Sequence, residues 1–524
     1  MIERFKSNAE AIAAADKYLY GNHARMPIVM DKGEGCWVWD LDGNKYLDFV
    51  GGIAVNGLGH HHPAIVKALD RAKDMMHCSN YYYNEPAIQV CKMICENSCF
   101  DKVFFANSGA EANEGQIKLA RKYAKDHGHP ERYVVISMLK SFHGRTLATA
   151  TATGQEIVHN PKWFSPLPEG FRYAEFNNLE SVKAQMGDDV CAILTEPVQG
   201  EGGVRPASQE FLQGLRDLCD EKGILLMFDE VQVGSGRTGK LFAHQNYGVE
   251  PDTCSMAKAL GSGVPIGAVC ARGEAALTLT PGTHGSTFAG GPLACGLAEA
   301  TLDTMLHEGV MDNAVKVGEY FRAKLTELSG KHPGTITEVR GMGMINGAEL
   351  KDNEIGPKIV QKCFEQKVLI NCTAGNVLRF IPPLIASEEE VDIVVAAIDK
   401  AMTELPERVE RVRSLNARLR TGLAQYPKVR INSPDTAVPQ ILNLSVQNVK
   451  GTVFQRELDA RGVCVSVKSA CSSDGLPSRA VFAVSHDRRN ALSSWRISLS
   501  HLTTEQEITD FMQAFDACYN ALTQ

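Results

Sequence analysis

Residues 225–268 read LLMFDEVQVGSGRTGKLFAHQNYGVEPDTCSMAKALGSGVPIGA, and the reading of this stretch decides the fold. It opens on an apolar run, 224–228, that ends in one carboxylate, Asp229. It then passes a glycine-rich run, GSGRTG at 234–239, and reaches an isolated lysine, Lys258, among small and apolar residues. The glycine run fits the GxGxxG dinucleotide pattern and, with Lys240, nearly fits a phosphate loop. Leu241 stands where that loop needs a hydroxyl for magnesium, and no apolar helix clearly begins at the third glycine. A flexible turn beside a different active site is the better reading.

Lys258 has two readings. A lysine there can simply reach solvent. A partly desolvated amine is also what Schiff-base chemistry requires, because burial favours its neutral, nucleophilic form. A pyridoxal cofactor needs in addition an anion against its ring nitrogen, a role open to Asp229. Two further pieces agree. The run NSGAEA at 107–112 follows the apolar 103–106 and opens a helix running through Lys122, so small residues and free N–H groups meet at a phosphate-type helix start. Phe142, His143, Gly144 and Arg145 follow a strand at 133–137 and supply an aromatic face and a cation for a carboxylate. Each piece alone has a bland account in a helix cap, a core aromatic or a surface arginine; their combination does not.

Working outward, short apolar runs at 133–137, 190–195, 224–228 and 266–271 read as strands buried on both faces, with helical patterns such as 209–221 between some of them. That alternation predicts an α/β fold with a mostly parallel sheet covered by helices. The segment 36–47 reads as a hairpin turning at Asp42 and Gly43. A long helix is expected at 293–307, and a boundary at Leu405–Pro406 followed by a fresh helix (409–423), strands near 441–446 and 463–467, and a last helix at 505–521. The chain has 524 residues, 44% of them hydrophobic and 22% charged, which is ample for large cores. With 54 basic against 62 acidic residues the net charge is −8, which argues against a broad nucleic-acid surface or an anionic-membrane surface. No apolar run approaches the roughly 18 residues of a membrane span, and the charged N-terminus lacks a signal-peptide core. Fifteen cysteines without paired spacing read as reduced thiols of a cytoplasmic protein.

Two clusters invite a metal reading. Cys91, Cys95 and Cys99 fall four apart on one helical face, but no fourth ligand is evident and core packing explains them. His60, His61 and His62 are consecutive and cannot converge on one ion in regular structure, so a turn before a helix at 64–72 is the better account. No metal is expected.

The motifs FFANSGAEAN, SFHGRTL, TEPVQGEGGV, FDEVQVGSGRTG, MAKALGSGVPIGA, PGTHGSTFAGGPLAC and VLRFIPPL are long and ordered. On them the chain, from about residue 10 to 402, resembles class III pyridoxal-phosphate-dependent aminotransferases of fold type I, and within them the acetylornithine aminotransferases. The resemblance implies a large domain with a mostly parallel seven-stranded sheet (56–290) and a small α/β domain built from both ends of the aminotransferase region (1–55 and 291–404). It implies that Lys258 carries the pyridoxal 5′-phosphate and moves the substrate proton, that Asp229 pairs with the ring nitrogen, and that Phe142 stacks on the ring with His143 among the cofactor-binding residues. Gln232 is implied for the phenolic oxygen, and Ser108, Gly109 and Ala110 for the phosphate, helped by Thr287 of a second subunit in a homodimer. Arg379 resembles the residue that grips an α-carboxylate, and Glu201 the carboxylate that masks it when an ω-amine enters. Arg145 is implied for the other carboxylate of 2-oxoglutarate or of the donor, with Glu196 in support. Many relatives carry tyrosine at the place of His23; ornithine-specific ones carry it at Gly52.

The remaining segment, 405–524, carries VPQILNLSV, VCVSVKSACSSDGLPSRAVF and SSWRISLSHLTTEQEI. It resembles the C-terminal domain of cysteine desulfurases, in which the cysteine at the place of Cys471 takes up sulfur and the arginine at the place of Arg496 binds the substrate carboxylate. Lys468 and Arg479 near Cys471 favour a thiolate. Three readings stand open: a domain retained for packing, a sulfur-carrying module, and a regulatory or dimer-building module.

Overall fold

The computed structural model describes residues 4–160, 162–467 and 477–523, with only the backbone of 406–408. Two compact units divide it, Met1–Asp399 and Lys400–Gln524.

The first unit is built on a seven-stranded sheet in the order Lys102–Ala106, Gly267–Ala271, Thr253–Met256, Leu225–Asp229, Val190–Thr195, Val134–Met138, Phe171–Ala174. Six strands run one way; Gly267–Ala271 is antiparallel to both of its neighbours. The strands Val134–Met138, Val190–Thr195 and Leu225–Asp229 are buried at every residue, which is why they read as unbroken apolar runs. The helix Gln209–Lys222 shows how the chain passes from helix to strand. Its start is capped by the Ser208 side chain accepting from the Phe211 N–H, and it stops at Gly223 in the left-handed region (φ 61°), two residues before Leu225–Asp229 begins.

Both ends of this unit meet in one smaller sheet. Met30–Glu34, Trp37–Asp40 and Lys45–Asp48 run antiparallel, the last two turning at Gly43 (φ +82°), and Val368–Leu369 pairs parallel with Lys45–Asp48. A further four-stranded sheet, in the order Ile336–Met342, Ile345–Leu350, Val377–Phe380, Asn371–Thr373, carries Arg379. The long helix after the large sheet is Pro292–His307.

The second unit holds a three-stranded antiparallel sheet, Val429–Ile431, Ile441–Val446 and Ser494–Ser498, with the helices Gly451–Asp459 and Glu505–Thr523. Trp495 stacks on Phe454 at 5.2 Å and 15°, and Phe515 lies 5.1 Å from Phe454, all three fully buried. Two local expectations differ. One helix runs Glu388–Leu423 straight through Pro406. Proline removes a single backbone donor, and buried apolar residues at helical spacing continue on either side of it, Val394, Ile398 and Ala401 before and Val412, Leu415 and Leu419 after. The segment 463–467 is not a strand: Ser466 exchanges one pair of backbone bonds with Arg496, and the neighbouring Val465 carbonyl accepts instead from the Gln455 side chain.

Candidate active site

A cavity of about 430 Å³ opens at the carboxyl ends of the parallel strands, and Asp229, Lys258, Phe142 and Ser108 all line it. Ligands of α/β sheets gather at this edge because loops there are free to converge.

Asp229 ends the strand Leu225–Asp229 and is buried. Its Oδ2 accepts from Asn113 Nδ2 (2.7 Å) and His143 Nδ1 (2.8 Å), and its Oδ1 accepts from the Val231 N–H (3.0 Å). Every partner is a donor, so the acid presents acceptor lone pairs only. Lys258 begins a short turn, Lys258–Gly261, after the strand Thr253–Met256, and sits at φ +41°, a conformation that costs a non-glycine residue energy and recurs at functional sites. Burial pulls its amine down to about pH 8, with the Glu201 carboxylate acting in the opposite direction. Glu196 lies on the cavity wall, where burial and then the Asp229 charge push its carboxyl well above the ordinary range. Its oxygens accept from the N–H groups of Phe142 (3.2 Å) and Gly200 (3.4 Å).

The helix Gly109–Asp126 starts at the cavity, with the Ser108 side chain accepting from the Glu111 N–H (3.2 Å). Its first turn is pressed close to its neighbours. A Cβ on Gly109 would lie 2.5 Å from Val231 Cγ1, and one on Gly267 would lie 2.3 Å from the Ser108 carbonyl oxygen. Glu201 and Gln232 also line the cavity; Glu201 Oε1 meets Arg379 Nη1 at 2.5 Å, and Gln232 bridges them, donating to Glu201 (3.2 Å) and accepting from Arg379 (3.2 Å). Burial raises the Glu201 carboxyl more than any other single influence, but the charge and hydrogen bond of Arg379, the Lys258 charge and the Gln232 hydrogen bond together outweigh it, and the net displacement is downward. Arg145 is exposed, lies over the Phe142 ring at 5.2 Å, and has no ion-pair partner among the described residues.

The remaining candidates lie elsewhere. Thr287 is exposed and does not line the cavity of its own chain; its neighbour Ser286 bonds to Asn107 (2.8 Å). Arg496 lies in the strand Ser494–Ser498 of the second unit, and Cys471 falls outside the described residues. The GSGRTG run is a buried turn in which a Cβ on Gly239 would lie 2.2 Å from a Val315 methyl, and none of its residues lines the cavity that holds Lys258. Cys91 and Cys99 pack against the large core, and burial pushes their thiols up to about 11 and 12, the behaviour of core residues. His62 caps the helix Pro63–Ala72, and His60 pairs with Asp48 at 3.1 Å. Sequence reading missed Asn113, Gln116, Thr253 and Ser255, which are all buried behind Asp229. The available signal was polar residues on the sheet-facing side of an otherwise amphipathic helix.

This donor set fits pyridoxal phosphate. A buried amine, an acid fed by donors, and a helix start that opens on Gly109 and Ala110 line one cavity. The family profile described as aminotransferase class-III matches residues 18–402.

The chain belongs to the class III aminotransferases.

These enzymes use pyridoxal phosphate. A second profile, aminotransferase class-V, matches residues 393–511, in line with the separate resemblance of the C-terminal segment. The acetylornithine aminotransferase of Caldanaerobacter subterraneus is 50% identical over 390 residues, 74% of this chain and 98% of that protein. Among solved structures, the ornithine aminotransferase of Toxoplasma gondii is similar with a TM-score of 0.73 and 35% identity, covering 77% of this chain and 97% of that one. The N-acetylornithine aminotransferase of Stenotrophomonas maltophilia is similar with a TM-score of 0.65 and 35% identity, covering 76% and 99%. As a class III aminotransferase the chain exchanges amino and keto groups between an amino donor and a keto acid.

Proposed function

We propose that the donor is N-acetylornithine or a similar ω-amino compound and that the acceptor is 2-oxoglutarate. The observation that carries this reading is the Glu201–Arg379 pair, held by Gln232 on the same site as Lys258. With the pair closed, the arginine is masked and the site admits an uncharged chain bearing the reacting amine. With the pair opened, Arg379 is free to take the α-carboxylate of 2-oxoglutarate or glutamate. Arg145 has no ion-pair partner among the described residues and takes the other carboxylate. One pocket thus serves two substrates of different charge.

Pyridoxal phosphate, when bound, supplies the electron sink that acidifies the substrate C–H bond. The chain supplies the rest. Lys258, neutral in good part near pH 8, takes the proton from the substrate carbon and returns it. Asp229 would pair with the ring nitrogen and Phe142 would stack on the ring, while His143 holds Asp229 through its Nδ1. The N–H groups of Gly109 and Ala110, the Ser108 hydroxyl and the positive end of their helix would hold the phosphate, and Gln232 would serve the phenolic oxygen. Glu196 keeps the Phe142 backbone in place. Thr287 of the partner subunit completes the phosphate site in a homodimer. That reading is supported by Thr287 standing exposed outside its own cavity and by the exposed Met75, Met76, Tyr81, Tyr82, Tyr83 and Phe288. All cysteines among the described residues are free, which supports a reducing, cytoplasmic setting, and none of their helices is long and apolar enough to cross a membrane.

The test is glutamate formation from N-acetylornithine and 2-oxoglutarate by the holoenzyme. Arg379→Ala is expected to raise the KM for 2-oxoglutarate far more than that for the ω-amine. Equal effects on both would overturn the switch. The class-V match keeps a second reading in play, sulfur transfer through Cys471. Sulfide release from L-cysteine in the presence of an added thiol as reductant, abolished by Cys471→Ala, would support it.

A further inference from the structure

Behind Asp229 runs a buried chain of hydroxyls and amides whose geometry follows from two periodicities. Thr253 and Ser255 are two apart on the strand Thr253–Met256, so both face the same side of the sheet. Asn113 and Gln116 are three apart on the helix Gly109–Asp126, so both face that strand. Thr253 Oγ1 donates to Gln116 Oε1 (2.6 Å), Gln116 Nε2 donates to Asn113 Oδ1 (3.1 Å), and Asn113 Nδ2 donates to Asp229 Oδ2 (2.7 Å). Ser255 Oγ also donates to Asn113 Oδ1, at 2.8 Å. The second N–H of each amide is used as well, Asn113 on the His143 carbonyl (2.8 Å) and Gln116 on the Phe228 carbonyl (3.3 Å).

The direction of this chain is forced. Turning the Asn113 amide over would set its oxygen against the His143 carbonyl and the Asp229 carboxylate, both acceptors; turning Gln116 would set its oxygen against the Phe228 carbonyl. The four side chains are essentially inaccessible to water, so no solvent relieves a wrong orientation. Donors linked head to tail also polarise one another, strengthening the bond at the carboxylate end.

We propose that Asn113 is a positioning residue of the reaction: backed by Gln116, Thr253 and Ser255, it holds the Asp229 carboxylate in the orientation that meets the ring nitrogen of pyridoxal phosphate, and so sets how fully that nitrogen is protonated. The proposal rests on the reading of Asp229 given above. It goes beyond that reading by placing the control of ring protonation in the helix and strand behind the acid.

The experiment loads the full-length enzyme with pyridoxal phosphate labelled with 15N in the ring and reads the nitrogen chemical shift together with kcat and KM. Asn113→Leu is expected to move the shift toward the unprotonated value and to lower kcat about ten- to a hundredfold, the range for losing a hydrogen bond to a charged group, with KM for the keto acid nearly unchanged. Thr253→Val, which removes only the far hydroxyl, is expected to move the shift the same way by less. It carries the test if Asn113→Leu does not fold. A wild-type shift in both fully loaded variants, or in Thr253→Val if it is the one obtained, overturns the proposal. Asp229→Asn separates the two readings: if it too leaves the shift unchanged, the pairing of Asp229 with the ring fails, whereas a shift in Asp229→Asn alone rejects only the role of Asn113.

Discussion

At the scale of single residues, the site is a set of charges displaced by burial. Lys258 is the clearest case, with burial drawing its amine from 10.5 to about 8 and the Glu201 charge resisting. The sign is direct: burial disfavours the ammonium, so the neutral nucleophile accumulates at lower pH than for a free lysine. Capture of pyridoxal phosphate by apoenzyme, followed by absorbance, is therefore expected to rise with pH and reach half its plateau near pH 8. Glu201→Gln removes an anion that favours the ammonium, so the midpoint is expected to fall further. A midpoint near 10 in the native protein, or one that rises in Glu201→Gln, would contradict this. The lysine was legible in the sequence because it stood alone among small and apolar residues. Asn113 was not, because a helical asparagine usually faces water, and only its register against the strand Thr253–Met256 reveals otherwise.

At the scale of elements, the start of the helix Gly109–Asp126 is seated on the one reversed strand of the large sheet. Gly267 opens that strand, and a Cβ there would lie 2.3 Å from the backbone oxygen of Ser108, which cannot swing aside as a side chain can. At Gly109 the obstacle, at 2.5 Å, is a methyl of Val231, part of a side chain able to give way. Gly267→Ala is thus expected to weaken retention of pyridoxal phosphate by about tenfold or more and Gly109→Ala by less, measured by titration of apoenzyme. The reverse order would show that the backbone contact does not set the phosphate site. The apolar runs that become central strands were readable because residues buried on both faces leave no alternation. The reversal of Gly267–Ala271 was missed, although its sign was present. Only ten residues and one short turn separate it from Thr253–Met256, too few for the helical crossover that a parallel neighbour requires. The uninterrupted helix Glu388–Leu423 was hidden by Pro406, whose local cost is overridden by apolar positions on either side.

At the scale of the whole molecule, the first unit carries every proposed aminotransferase residue, from Ser108 to Arg379, and the class III match ends at residue 402. The Caldanaerobacter relative aligns over 98% of its own length while covering 74% of this chain, so it has no counterpart of the remainder. The second unit has a core of its own, in which Trp495, Phe454 and Phe515 are fully buried against one another. A chain of residues 1–404 is therefore expected to bind pyridoxal phosphate and to transaminate with kcat/KM within about threefold of the full chain, since every residue proposed for that reaction lies in the first unit. The comparison is made on both proteins at equal cofactor occupancy. A truncated protein that loads cofactor fully but loses activity by a factor of a hundred would mean that the second unit acts in the chemistry. Equal transamination together with loss of sulfide release from L-cysteine and an added thiol would instead assign the sulfur-carrying step to the second unit, because removing the segment that contains Cys471 subtracts the cysteine proposed to take up sulfur.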